Sequence, residues 1–353
     1  MSLQIGIVGL PNVGKSTLFN ALTNKKAEAS NYPFCTIDPN VGVVKVPDER
    51  LDKIASISKP KQIIPTTIEF VDIAGLVEGA HKGEGLGNQF LANIRECDAI
   101  CEVVRNFEDS NIVHVNGKID SESDQETISM ELIFADLQTV DKRLSKVTRE
   151  SRGGDKELVK LKNLLDKIKE ILEAGNAARE LELDDDDKKL IKSLNLLTTK
   201  PILYVMNEKE DSDKREIGWD GEVLKLNIKQ EEEITSLPEE EQAEYIEELG
   251  LEQSGLDKLI KVSYKLLSLI TYFTTGVDET RAWTTPKNSK APQAAGVIHT
   301  DFEKGFIRVE VIDWEKFIEA GGEAQAKEKG LVRTEGKDYM IQDGDICHFL
   351  FNK

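Results

Sequence analysis

Gly9-Leu10-Pro11-Asn12-Val13-Gly14-Lys15-Ser16 follows directly on the apolar run from Leu3 to Val8 and leads into Ser16 to Leu22, whose apolar residues fall at helical spacing. A phosphate chain needs several backbone N–H groups aimed at it, and glycines at positions 9 and 14 let the main chain curl close enough to supply them. The helix starting near Lys15 adds the positive end of its dipole. Lys15 is expected to reach the terminal phosphates, with Val13, Gly14 and Thr17 completing the cradle and the Ser16 hydroxyl ligating a magnesium ion. Strand, glycine-rich loop and helix in this order predict an α/β nucleotide-binding domain.

A second phosphate-sensing element is expected at the end of another strand. The run Thr67 to Val71 ends in Asp72-Ile73-Ala74-Gly75, a D-x-x-G pattern in which Asp72 holds a magnesium-bound water and the Gly75 N–H meets the γ-phosphate. Thr36, in the turn-rich stretch between the two motifs, is placed to offer magnesium a second hydroxyl. Guanine readers carry N-K-x-D after a later strand. Here Pro201 to Met206 is followed by Asn207-Glu208-Lys209-Glu210. The extra methylene of Glu210 misdirects the carboxylate that would pair with guanine, so adenine is the expected base, read by Asn207, Glu208 and Glu210.

The 353 residues imply two or three domains. Lys and Arg number 46 against 65 Asp and Glu, a net charge of -19, which excludes nucleic-acid binding over the whole surface and leaves room only for a local basic patch. Cys35, Cys97, Cys101 and Cys347 show neither a C-x-x-C pair nor metal spacing, as suits buried thiols in a reducing compartment. The chain begins without a charged and apolar leader, and no run of 18 apolar residues occurs, so a soluble cytoplasmic protein without membrane contact is expected, and a monomer is the expected state.

Strand-like runs (Leu3 to Val8, Ile68 to Asp72, Ala99 to Val104) alternate with helical stretches (Lys15 to Leu22, Leu86 to Glu96), the pattern of a parallel sheet wrapped by helices. From Gln125 to Leu197 helical periodicity takes over on both sides of Gly153-Gly154, predicting an antiparallel helical insert inside the nucleotide domain. Leu224 to Lys229 reads as the last strand and its loop. Acidic helices are expected from Pro238 to Leu249 and from Gly255 to Ile270. Strands are expected at Ile307 to Ile312, Asp338 to Ile341 and Ile346 to Leu350.

These motifs resemble the YchF subfamily of the Obg-related P-loop nucleotidases, the Obg-like ATPases. The resemblance is carried by Gly9 to Thr17, Asn31 to Pro39, Asp72 to Val77, Asn207 to Glu210, Arg281-Ala282-Trp283, Ala291 to Gly296, Ile298 to Ile307 and Glu335 to Tyr339. It implies a P-loop domain over 1–125 and 198–273, a coiled-coil-like insert over 126–197, and a ubiquitin-like β-grasp TGS domain over 276–352. It further implies ATP and magnesium as ligands, the ribosome as partner, and a nucleotide-driven switch. Leu76 stands where many relatives hold a water-orienting Gln, so slow intrinsic turnover is expected. His114 is the family's candidate for positioning the water, with His81 as its rival. In some relatives an Asn at the place of Asn12 helps bind a potassium ion. A GTPase of the same architecture, or a nucleotide-gated binding module with incidental hydrolysis, remains an alternative.

Overall fold

A computed structural model describes residues 3–24, 40–73, 86–109, 119–209, 212 and 218–352. Cys35, Thr36, Gly75, Leu76, His81, His114 and Glu210 lie outside the described residues.

In chain order, the first elements are β1 (Gln4–Val8), α1 (Lys15–Asn24), β2 (Val41–Lys45), α2 (Glu49–Ser58), β3 (Gln62–Ile64), β4 (Thr67–Asp72), α3 (Leu86–Glu96), β5 (Ala99–Asn106) and α4 (Ser121–Glu150). Next come α5 (Lys156–Glu173), α6 (Asp185–Ile191), β6 (Ile202–Glu208), β7 (Glu222–Leu226), α7 (Ile228–Ser236), α8 (Glu239–Glu248) and α9 (Gly255–Leu266). The chain finishes with β8 (Leu269–Thr275), β9 (Glu279–Pro286), α10 (Ala291–Ile298), α11 (Thr300–Lys304), β10 (Phe306–Asp313), α12 (Trp314–Ala320), α13 (Glu323–Glu328), β11 (Arg333–Glu335) and β12 (Asp345–Phe351).

The first sheet has the order β2-β4-β1-β5-β6-β7. Strands β4, β1, β5, β6 and β7 all pair in parallel. Seven of the eight residues of β5 are buried, as a central strand covered on both faces requires. After β1 the chain builds β4 on one side and β5 on the other. The carboxyl end of β1 is therefore a switch point of the topology, where open α/β sheets gather their ligands.

Between β5 and β6 the chain makes its helical excursion. Asp120 caps α4 by accepting the Ser123 N–H, Asp155 caps α5, and Gly154 at φ 80° takes the left-handed turn between them. The two helices close over Val140, Val147, Leu165, Ile168 and Leu172, a core separate from that of the sheet. Asp136 of α4, fully buried, accepts the N–H groups of Leu197 and Thr198 at 2.9 and 2.7 Å and so pins the returning chain ahead of β6.

The described chain divides into two compact units: β1, α1 and Glu69 to Leu256 form one, and 43–68 with Asp257 onward form the other. The second has its own sheet, β11-β10-β12-β8-β9-β3, in which β10 pairs antiparallel with β11 and β12, β8 antiparallel with β9, and β12 parallel with β8. One apolar cluster joins Tyr272, Ala294, Val309 and Phe349, and another packs Leu51 and Ile54 of α2 against Phe273, Phe317 and Ala320.

Three expectations need correction. The helix expected to reach Ile270 stops at Leu266, because Ser268 turns left-handed at φ 52° and the buried, β-branched run from Leu269 pairs as β8. Asp338 to Ile341 forms only a bridge from Met340 to Lys290. An additional helix, α7, follows β7 at once, capped by the Asn227 side chain, which accepts the Gln230 N–H.

Candidate nucleotide-binding site

The glycines act as the backbone geometry demands. A Cβ on Gly9 would sit 2.5 Å from the Val103 carbonyl oxygen of β5. Gly14 has φ 109°, and a Cβ there would meet Asn207 Nδ2 at 2.6 Å. Asn12 takes the left-handed conformation at φ 65° between them, a placement Asn tolerates better than most side chains.

Lys15, at the first turn of α1, is only 8 % exposed, and its Nζ donates to the Leu10 carbonyl at 2.7 Å. Burial pulls its pKa down to about 8, against the opposing pull of Asp72. Asp72 ends β4 in register with Ile7 of β1, and burial pushes its carboxyl upward while Lys15 resists. An ammonium stripped of water beside a carboxylate is poised to take an anion, since a phosphate oxygen would replace the hydration that Lys15 has lost.

Asn207 uses both ends of its amide on backbone. Its Nδ2 donates to the Val13 carbonyl at 2.9 Å, and its Oδ1 accepts the Ile228 N–H at 3.2 Å. The residue therefore ties the cradle to the start of α7, a bracing role that the sequence pattern alone did not reveal. Glu208 ends β6 and accepts a long 3.5 Å contact from Asn106.

These elements enclose a cavity of about 510 Å³, within the range of nucleotide and cofactor sites. The cradle contributes Asn12, Gly14, Lys15, Ser16 and Thr17; Asn207 and Lys209 follow from β6, and Asn227, Ile228, Lys229 and Glu232 from the β7 to α7 corner. Val13 lies buried beneath. Phe107 and Asp109, just past β5, close the cavity. Lys209 pairs with Asp109 at 3.2 Å, and its Nζ stands 5.1 Å from the Phe107 ring centre. A larger hollow of about 920 Å³ in the C-terminal unit, bordered by Arg50, Lys265, Trp314 and Asp343, has no phosphate cradle. Chemistry rather than volume makes the smaller one the candidate nucleotide site.

Of the residues read from sequence, Asn12, Gly14, Lys15, Ser16, Thr17 and Asn207 converge on this cavity, while Asp72 and Glu208 do not appear among its described lining. Phe107, Asp109, Lys209 and Glu232 were missed. A signal existed, since the parallel β5 must end beside β1, and whatever follows it borders the switch point. The donor set suits magnesium: a hydroxyl at Ser16 and a carboxylate at Asp72 are hard oxygen ligands, and such a site draws its remaining ligands from phosphate and water. Among the described residues no group of three or more His, Cys, Asp or Glu side chains could hold a metal alone. The described cysteines Cys97, Cys101 and Cys347 are free and buried. No described helix is long and apolar enough to cross a membrane.

A family model described as a 50S ribosome-binding GTPase matches residues 4–135, and the C-terminal model of YchF GTPases, described as a protein of unknown function, matches 269–352. The chain is 54 % identical over 365 residues to a Bacillus subtilis protein named ribosome-binding ATPase YchF, and 53 % identical over 363 residues to its Haemophilus influenzae namesake, with both chains fully covered in each case. The solved structure of the Schizosaccharomyces pombe YchF GTPase superimposes with a TM-score of 0.89 at 38 % identity, covering 99 % of this chain and 98 % of that one.

Proposed function

We propose that this chain, which belongs to the YchF family of P-loop nucleotidases, binds magnesium-ATP in the cavity above β1, hydrolyses it slowly, and acts as a nucleotide-dependent switch at the ribosome. The observation that carries the reading is Lys15, an almost fully buried ammonium facing Asp72 at the carboxyl end of a parallel sheet. A buried ammonium at the start of a helix suits a phosphate, which would restore the contacts with water that burial removes.

In this reading the N–H groups of the cradle from Asn12 to Thr17 surround the phosphates, and Lys15 leaves the Leu10 carbonyl to bridge the terminal pair. Ser16, Asp72 and Thr36 would hold the magnesium ion, which neutralises charge on the phosphates. Gly75 would sense the γ-phosphate. His114 would position the attacking water, a task that Leu76 cannot perform. Asn12 would contribute to a potassium site, testable as faster turnover in potassium than in sodium.

The domain reading accompanies this: a nucleotide domain over 1–125 and 198–273, the helical insert over 126–197, and a TGS domain of β-grasp type over 276–352. Switching would pass from Thr36 and the segment after Asp72 to the insert and the C-terminal domain. The protein would act as a monomer in the cytoplasm.

ATP is preferred over GTP because Glu210 stands where a guanine reader needs Asp, and because the bacterial relatives are named ATPases. The solved relative is titled a GTPase, so a GTPase is the alternative to test. Equilibrium titration of fluorescent ATP and GTP analogues with magnesium, on the wild type and on Glu210→Asp, decides between them. The reading expects ATP preference that moves toward GTP in the variant; equal or GTP-favouring binding by the wild type would overturn it. A hydrolysis-dead chain that kept full cellular function would instead favour the gated binding module.

A further inference from the structure

Arg105 is one of the largest fully buried side chains of the protein, 1 % exposed, and lies at the penultimate position of β5. It is directly in register with Asn207 of β6, the residue that ties the cradle to α7. Its Nε donates to the Phe107 carbonyl at 3.1 Å, and a terminal nitrogen reaches the Asp109 carbonyl at 3.5 Å. The same guanidinium stands over the Phe107 ring, 4.6 Å from its centre, and the Lys209 ammonium lies over that ring as well. Three of the groups it organises, Phe107, Asp109 and Lys209, line the nucleotide cavity.

A buried arginine is costly unless its planar fork is used, and here the fork reaches backbone carbonyls of a segment just leaving the sheet. Those carbonyls are the ones whose position decides where the Phe107 ring and the Asp109 to Lys209 ion pair stand. We infer that Arg105 is a positioning residue for nucleotide: without touching the ligand, it sets the cavity wall formed by Phe107, Asp109 and Lys209. The inference rests on the nucleotide-binding reading above.

Its test is equilibrium binding of a fluorescent ATP analogue with magnesium, together with steady-state turnover, on the full chain and on Arg105→Lys, Arg105→Met, Lys209→Met and the Arg105→Met/Lys209→Met double variant. Arg105→Met keeps the packing volume and should weaken binding about tenfold, the loss expected when one charge-assisted anchor is removed. Arg105→Lys keeps the charge but loses the fork, so it should fall between Met and wild type. KM should rise by more than kcat falls. The double variant should bind about as weakly as Arg105→Met alone, because both changes act on one wall. An arginine that only holds the strand together would lower the melting temperature and leave affinity and the coupling with Lys209 unmoved. Should Arg105→Met fail to fold, Arg105→Lys still decides: wild-type affinity in that variant overturns the inference. If the wild type takes up no nucleotide, the functional reading fails instead.

Discussion

Replacing Glu102 by Gln should remove a loss of stability that the nucleotide unit otherwise suffers as pH rises. Glu102 lies in the middle of β5 with no exposed surface, and neither carboxylate oxygen has a hydrogen-bond partner among the described residues. Burial holds its pKa well above the ordinary carboxylate value; Arg179 opposes this, while Asp220 and Asp124 add to it. Arg179 is committed to Asp220 in a 2.5 Å ion pair, and Tyr204 donates to the same carboxylate, so neither neutralises Glu102 well.

A carboxyl whose folded pKa is raised contributes its full stability below the unfolded pKa and loses it as pH rises toward the folded value. Across that window the unfolded chain releases a proton that the folded chain keeps, at about 1.4 kcal/mol per pH unit. Within that window the wild type should therefore fall behind Glu102→Gln by up to that amount for each unit of pH. The amide also lacks partners, which costs it about 1 to 3 kcal/mol, so the variant starts level or slightly behind at pH 5 and gains on the wild type as pH rises. Urea unfolding of both proteins at pH 5, 6, 7 and 8, followed by the fluorescence of Trp219 beside Tyr204, measures the difference. Parallel stability curves would refute the argument, because a carboxyl ionised in both states cannot contribute a slope.

Nucleotide affinity should depend on the charge of Lys15, whose pKa lies at about 8 in the free protein. Bound phosphate keeps the ammonium charged, so affinity should hold steady below pH 8 and fall above it by up to about tenfold per pH unit. Titrations from pH 7 to 9.5 that remained flat would contradict this. Asp136→Ala should destabilise the chain by about 3 kcal/mol, since the Leu197 and Thr198 N–H groups would lose their buried acceptor. Thermal melting would register the loss with nucleotide affinity little changed; a melting temperature within a degree of wild type would show that the helical insert is held by its apolar core alone.

The sequence by itself determined the cradle, because a G-x-x-x-x-G-K-S run after an apolar strand restricts both backbone and chemistry to a few residues that interact locally. Gly9, Gly14, Lys15 and Ser16 could be placed on the turn from strand to helix for that reason, and Asp72 at the end of its strand. The helical insert was also legible, since its apolar repeat and the Gly153-Gly154 break are local signals. Element ends in the C-terminal unit were not. Ser268 stops a helix through a left-handed turn that its residue type does not advertise, and β8 is a strand because it finds β9 and β12 as partners.

Tertiary structure alone decided what Asn207 does. Its amide meets Val13 and Ile228, which are 194 and 21 residues away along the chain, and no local pattern encodes those contacts. It likewise brought Phe107, Asp109 and Lys209 to one wall, with Arg105 behind them. Parallel strands deliver their carboxyl ends to the same edge of a sheet, so residues that chemistry must use together can lie far apart in sequence and become neighbours only when the strands pair.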